Sequence, residues 1–267
     1  MEILGYIASL FIGIALGLLG GGGSILTVPV LYYLFGIPAV LASAYSLFIV
    51  GISALVGVIP RFRKGLVNVK TAILFGIPSL ISVFLTRKYL IPLLPEQFFQ
   101  WGAFQFKKET FLMSVFALLM LGASYSMIRS KKESEAMEGM QAFNFPILFL
   151  EGIAVGILAG MVGAGGGFLI IPALVIWTKL PMKLAIGTSL LIIATNSLIG
   201  FTGDLGHTTM DWPLILSISF LAIVGIFIGN KLGEKIDGSK LKKGFGWFVL
   251  AMGLFILIKE LFFPPIH

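Results

Sequence analysis

Two glycine clusters, each set inside a long apolar run and each closed by a proline, constrain this chain more than any other feature. Gly20 to Gly23 lead into Ser24, Ile25, Leu26, Thr27, Val28 and Pro29, and Gly163, Ala164, Gly165, Gly166 and Gly167 lead into Phe168, Leu169, Ile170, Ile171 and Pro172. The registers match without a gap at an offset of 143, the spacing from Pro29 to Pro172. That offset also pairs Gly13 with Gly156, Gly17 with Gly160, Pro38 with Pro181, Ala42 with Ala185, Ser46 with Ser189 and Gly57 with Gly200. The chain therefore reads as an internal duplication, with a first repeat over 1–128, a polar connector over 129–144 and a second repeat over 145–267.

The medium around those clusters follows from composition. Of 267 residues, 58% are hydrophobic and only 12% charged, well outside the range of a soluble domain. An integral membrane protein is the class that fits, with the lipid bilayer as its partner. A net charge of +7 would suggest nucleic acid in a soluble protein. Here the basic residues gather between apolar segments, as orientation in a membrane demands, so nucleic acid is excluded. There is no cysteine, hence no disulfide, thiolate nucleophile or thiolate metal site, and no cofactor motif is visible. The start lacks a basic n-region and its apolar run continues into the first repeat, so no cleaved signal peptide is expected.

Eight apolar segments stand out, at 3–19, 39–59, 71–86, 110–128, 145–162, 184–203, 212–230 and 244–263, most near the ~20 residues that cross a hydrocarbon core. Two short ones, 24–35 and 168–178, each follow a glycine cluster and reach only about 16–18 Å at ~1.5 Å per residue. The loop after the second segment carries Arg61, Arg63, Lys64 and Lys70, whereas its counterpart carries Asp204, His207 and Asp211 with no Lys or Arg. Equivalent loops thus favour opposite sides of the membrane, the mark of an inverted-topology repeat. The fold class that results is an all-α polytopic membrane protein, an inverted-topology internal repeat with glycine-broken or re-entrant helices; spanning and re-entry give the same parity. Lys131, Lys132 and Lys240 fall on the cytoplasmic side together with the connector, both termini fall outside, and Arg87, Lys88, Lys107 and Lys108 run against the rule by lying outside. Glycines at four-residue spacing, Gly152, Gly156 and Gly160 and again Gly225, Gly229 and Gly233, read as close helix packing.

Consecutive glycines cost a helix ~1 kcal/mol each relative to alanine, and the following proline lacks an N–H. The helix should break there and restart at Ser24 and Gly167, or only at Pro29 and Pro172. Broken backbone survives in a bilayer only where protein or a wet cavity satisfies it. The free N–H groups at the restarted N-terminus then form a cradle suited to an anion. A plain packing or hinge role is the alternative, but paired breaks in corresponding positions of two halves point to a transporter's midplane site. The candidate substrate-binding residues are Gly21, Gly22, Gly23 and Ser24 in one half and Gly165, Gly166, Gly167 and Phe168 in the other. Ser46, Ser189 and Asn196 on the following long helices add side-chain hydrogen bonds; Ser46 shares a helix face with Ser53, and Ser189 with Asn196. Structural bonding within the membrane is the alternative for each serine.

Three ionisable positions are candidates for proton or sodium coupling. Glu151 lies inside an apolar segment, although a first-turn carboxylate near the interface is the simpler reading. Asp204 and His207 share a short loop, where an exposed turn is the simpler reading and a proton relay the alternative. Lys179 and Lys183 flank the second short helix and either draw anions in or snorkel to the interface.

The stretches GLLGGGGSILTVP from Gly17 and GMVGAGGGFLIIP from Gly160, followed by LASAYSLFIVGISALVG and LAIGTSLLIIATNSLIG, resemble the TauE/SafE family of sulfite exporters over nearly the whole chain. The resemblance implies a multi-pass carrier of the prokaryotic plasma membrane that moves small sulfur-containing anions such as sulfite and organosulfonates, commonly outward. Ser24 standing where the second motif has Gly167 makes the two half-sites chemically unequal.

A secondary anion transporter working by alternating access is therefore expected. A passive anion channel would keep the site without the coupling. An intramembrane enzyme fits less well: there is no HExxH pair, Gly200 to Asp204 misses a GxGD pattern by one residue, and Gly187 to Leu190 lacks the closing glycine of GxSG. The absence of a Walker A pattern removes ATP as the driver.

Overall fold

A computed structural model describes residues 2–101, 104–129, 145–163, 165–178, 180–205, 210–233 and 238–262. The first half runs α1 (Glu2–Leu19), a 3-10 turn (Gly20–Leu26), α2 (Thr27–Tyr33), α3 (Ala39–Arg63), α4 (Val69–Leu85), a π-type turn (Thr86–Leu90) and α5 (Ile91–Leu93). A short hairpin, β1 (Gln97–Trp101) and β2 (Phe104–Lys107), leads into α6 (Lys108–Arg129). The second half runs α7 (Phe145–Val162), α8 (Gly167–Trp177), α9 (Met182–Thr202), α10 (Trp212–Gly233) and α11 (Gly238–Phe262). Each of the eight expected long segments is a helix, and the two short ones are α2 and α8. Among the described residues, five stretches are long and apolar enough to cross a membrane: 39–63, 69–93, 108–129, 183–202 and 212–233.

The polarity of these helices is turned inside out. On α4 the outward positions are Ile73, Ile77, Ile81 and Leu85, all exposed, while Ser79, Ser82 and Thr86 are buried. Spacings of three and four keep each set on one face. In water the arrangement would leave an apolar stripe unsatisfied; against hydrocarbon it is the favourable one. The chain is an all-α polytopic membrane protein.

One local expectation is corrected. The third apolar segment does not end near residue 86: helical structure continues through the π-type turn to Leu93. Between the third and fourth segments lie β1 and β2, with Phe99 opposite Phe106, Gln100 opposite Gln105 and Trp101 opposite Phe104. Cross-strand aromatic pairing explains a hairpin in so short a stretch, since the Phe99 and Phe106 rings stack 5.0 Å apart.

Long helices pack in four principal pairs: α1 with α10, α4 with α7, α3 with α9 and α6 with α11. Contacts in one half recur in the other at the offset of 143. A Cβ on Gly13 would overlap the Ala222 carbonyl, and one on Gly156 the Ser79 carbonyl. Gly17 abuts Ile226, and Gly160 abuts Val83. The caps recur as well. Asn68 Oδ1 accepts from Thr71 N at 3.0 Å to start α4, and Asp211 Oδ1 accepts from Leu214 N at 3.1 Å to start α10. Asn68 N donates to Thr188 Oγ1 at 2.9 Å, and Asp211 N donates to the Tyr45 hydroxyl at 2.8 Å. The two corresponding helices α3 and α9 run antiparallel, because Leu47 meets Gly200, Gly51 meets Leu198 and Leu66 meets Gly187.

Candidate functional site

The two glycine clusters meet. A Cβ on Gly21 would collide with the Gly167 backbone, and one on Gly167 would collide with Gly21, so the two chains touch main chain to main chain. Only glycine permits that approach. Gly20 and Gly163, paired by the offset, both take left-handed conformations, at φ 66° and 75°, where side chains other than glycine are strained. Gly20 then rests against Ile186 and Ser189 of α9, and Gly163 against Ser43 of α3, positions again separated by 143.

The turns on either side of this contact differ. In the second half α7 ends at Val162, Gly165 and Gly166 are left-handed at 64° and 68°, and α8 starts at Gly167. The first-turn N–H groups of α8, from Gly167 and Phe168 on, therefore belong to a helix N-terminus that opens against the other cluster. In the first half the chain passes directly from α1 into the 3-10 turn that contains Gly21, Gly22, Gly23 and Ser24, and α2 starts at Thr27. Ser24 Oγ donates to Gly21 O at 2.7 Å, so its hydroxyl serves the turn itself.

The expected side chains lie in the buried interior. Ser46, Ser53, Ser189 and Asn196 are all fully buried. Ser189 Oγ donates to Ile186 O at 2.8 Å, and Asn196 Nδ2 donates to Ser79 Oγ at 2.7 Å. Among the described residues, Ser46 Oγ, Ser53 Oγ, Asn196 Oδ1 and Ser197 Oγ are buried without a hydrogen-bond partner. Each such group costs about 1–3 kcal/mol unless something polar meets it. Ser197 is the member that sequence reasoning missed. Its hydroxyl lies against Gly165, and its place eight residues after Ser189 on α9 was the available signal.

Asp204 does not sit in an exposed turn. It is 7% exposed and pairs with Arg87, itself 1% exposed. Arg87 Nε donates to the Asp204 carboxylate at 3.0 and 2.8 Å, and a terminal guanidinium nitrogen lies 2.7 Å from Oδ1. The guanidinium also donates to Ser43 Oγ at 2.8 Å and to Gly160 O at 3.3 Å. Sequence reasoning had placed Arg87 as a loop charge on the outer side; the extension of α4 instead carries it into the interior. At the offset of 143 its counterpart is Asn230, and that of Asp204 is Arg61. Arg61 donates to Asn230 Oδ1 at 3.2 Å and to Gly17 O at 2.8 Å. In each half, then, a guanidinium holds a carbonyl at the C-terminal end of the helix that leads into a glycine cluster, where the dipole favours a cation. The partners have exchanged places: Arg with Asp in one half, Asn with Arg in the other.

The remaining candidates do not join this site. Glu151 is half-buried in the second turn of α7, twelve residues before Gly163, or about 18 Å along the helix. His207 and Lys179 lie outside the described residues, as does most of the connector. Among the described residues no group of three or more His, Cys, Asp or Glu side chains could hold a metal.

The model of the sulfite exporter TauE/SafE family matches residues 5–256. A probable membrane transporter protein of Xylella fastidiosa is 30% identical over 251 residues, covering 92% of this chain and 91% of its own. One from Bacillus subtilis is 24% identical over 246 residues, covering 92% and 96%, and one from Methanocaldococcus jannaschii is 33% identical over 117 residues, covering 42% and 44%. No solved structure matches. With a family match over nearly its whole length and full-length relatives named as membrane transporters, this chain belongs to the TauE/SafE sulfite exporter family of membrane transporters.

Proposed function

We propose that this protein is a secondary transporter that carries small sulfur-containing anions, sulfite or an organosulfonate, outward across a prokaryotic plasma membrane by alternating access. The observation that carries the reading is the contact of Gly21 with Gly167, which brings the two clusters to one place in the interior. In this reading the repeats 1–128 and 145–267 are inverted copies, the connector 129–144 is cytoplasmic and both termini are external. The antiparallel course of α3 and α9 supports the inversion, because corresponding helices in an inverted pair must run in opposite directions.

The anion sits against the N-terminal amides of α8 around Gly165 to Phe168 and the turn from Gly21 to Ser24. A helix N-terminus offers an oxyanion both N–H donors and positive dipole. Ser46, Asn196 and Ser197 supply further hydrogen-bonding atoms from the α3 and α9 faces. Asp204 enters this mechanism as the lock on Arg87, holding the end of α7 beside the second cluster.

Reconstitution into liposomes tests the proposal. Radiolabelled sulfite or taurine-like sulfonates should show saturable counterflow, and Gly22→Val or Gly166→Val should abolish it in protein that still elutes as a folded species. Counterflow that survives both substitutions overturns the site, and single-channel currents in place of counterflow establish a passive pore.

A further inference from the structure

Far from the glycine contact, the end of α11 places a carboxylate against the first short helix. Glu260 is 0% exposed, although it lies in an apolar helix. Its Oε1 accepts a hydrogen bond from the Tyr33 hydroxyl at 2.9 Å. Its Oε2 is buried without a partner among the described residues. The Tyr32 hydroxyl faces the same carboxylate and is buried, but among the described residues it reaches no partner in full hydrogen-bond geometry. The neighbouring Lys259 Nζ lies 4.0 Å from the centroid of the Tyr33 ring. Four oxygens are thus gathered at one point, the two of Glu260 and the two tyrosine hydroxyls, and the Tyr33–Oε1 hydrogen bond joins one pair of them.

Duplication does not account for this cluster. At the offset of 143 the counterparts of Tyr32 and Tyr33 are Val175 and Ile176, and α6, the counterpart of α11, has no acidic residue after Glu109. A buried carboxylate in a membrane helix is costly and marks ion or proton handling. A single carboxylate with two phenols is a poor cage for a metal cation, which seeks several oxygen ligands. It suits a proton.

We propose that Glu260 is a reversible proton-binding site that couples a proton to the seating of α2. On loading, a proton adds to Oε2 to give a neutral carboxyl, whose new O–H donates to the Tyr32 oxygen while Oε1 keeps the bond from Tyr33. On release, the proton leaves and the carboxylate retains only Tyr33. Because α2 follows the first glycine cluster without an intervening loop, a change in how Tyr32 and Tyr33 are held is a change in how that cluster is held. The titratable and charged groups around the site are Tyr32 and Tyr33 from α2, Lys259 from α11 itself and Glu109 from the first turn of α6. The packed helix α1 adds only Glu2 and Tyr6. Coupling to anion movement rests on the transport reading above; proton binding at Glu260 does not.

Infrared difference spectra of the purified full chain in lipid nanodiscs, recorded between acidic and alkaline buffer, read the site without any substrate. The carbonyl band of a protonated carboxyl should appear in the wild type, be absent in Glu260→Gln, remain in Glu109→Gln and shift its midpoint in Tyr33→Phe. A band unchanged in Glu260→Gln overturns the proposal. If Glu260→Gln does not fold, Tyr33→Phe decides: an unmoved midpoint overturns it. In liposomes, Glu260→Gln should keep sulfite counterflow while accumulation driven by a pH gradient falls about ten-fold. Accumulation at the wild-type level overturns the coupling. Absence of counterflow in the wild type refutes the transport reading and leaves the infrared result standing by itself.

Discussion

Arg87 and Asp204, 117 residues apart, close a buried ion pair that ties the end of α4 to the loop between α9 and α10. Breaking such a pair from one side strands a charge, typically at a cost of about 3–5 kcal/mol, whereas replacing both partners by apolar groups is often tolerated. Asp204→Leu should therefore lower the thermal midpoint in detergent by roughly 10 °C, and Arg87→Met with Asp204→Leu should recover most of it. A double variant as unstable as the single one would show that the pair is not the source of the effect.

Asn230 offers the reciprocal experiment. Its Oδ1 accepts from Arg61 at 3.2 Å, in the position corresponding to the ion pair of the other half. Asn230→Asp turns that neutral acceptor into a charged one, and hydrogen bonds to charged groups are worth about 1 kcal/mol more than neutral ones. The midpoint should rise by a few degrees while anion counterflow slows, and a fall in stability would contradict the exchanged-partner arrangement.

The contact of Gly21 with Gly167 has a built-in control. Gly36 is also left-handed, at φ 69°, but no atom lies within 4 Å of the place its Cβ would take. Gly36→Ala should cost only the backbone term of about 1–2 kcal/mol and leave counterflow intact. Gly21→Ala and Gly167→Ala should each cost more, about 1–3 kcal/mol of overpacking, and cut counterflow at least about ten-fold. Equal transport in all three would detach the contact from function.

The cysteine-free chain makes topology directly measurable. Lys64, just after α3, and Leu205, just after α9, are both exposed. In an inverted repeat, Lys64→Cys and Leu205→Cys react with an impermeant maleimide from opposite sides of a sealed vesicle. Labelling of both from one side would refute the inversion.

Helix positions were legible because hydrophobic run length and the cluster spacing act locally, and the offset of 143 brought out the second half from the first. Arg87 was not legible. It stands just past the end of the segment read at 71–86, and only the continuation of helical structure to Leu93 carries the guanidinium inward. Asp204 escaped for the same reason, since its burial depends on a partner remote in sequence. The hairpin at 97–107 lies between the third and fourth apolar segments, where run length carries no signal; its alternating aromatics are a period of two. For Ser46, Ser189 and Asn196 the pattern showed shared faces; whether a hydroxyl serves its own helix, as in Ser189, or stays unmet, as in Ser46, is decided by packing.

An inverted duplication with identical halves would have its two access states isoenergetic by symmetry, each the mirror of the other across the membrane. Any bias between them must then come from places where the halves disagree. Arg87 with Asp204 against Asn230 with Arg61 is one such disagreement, and it sits at the helix ends that feed the glycine clusters. On the alternating-access reading, the resting population would be set by a handful of side chains at corresponding positions rather than by the fold they share, and exchanging those pairs between halves would invert the bias without altering the architecture.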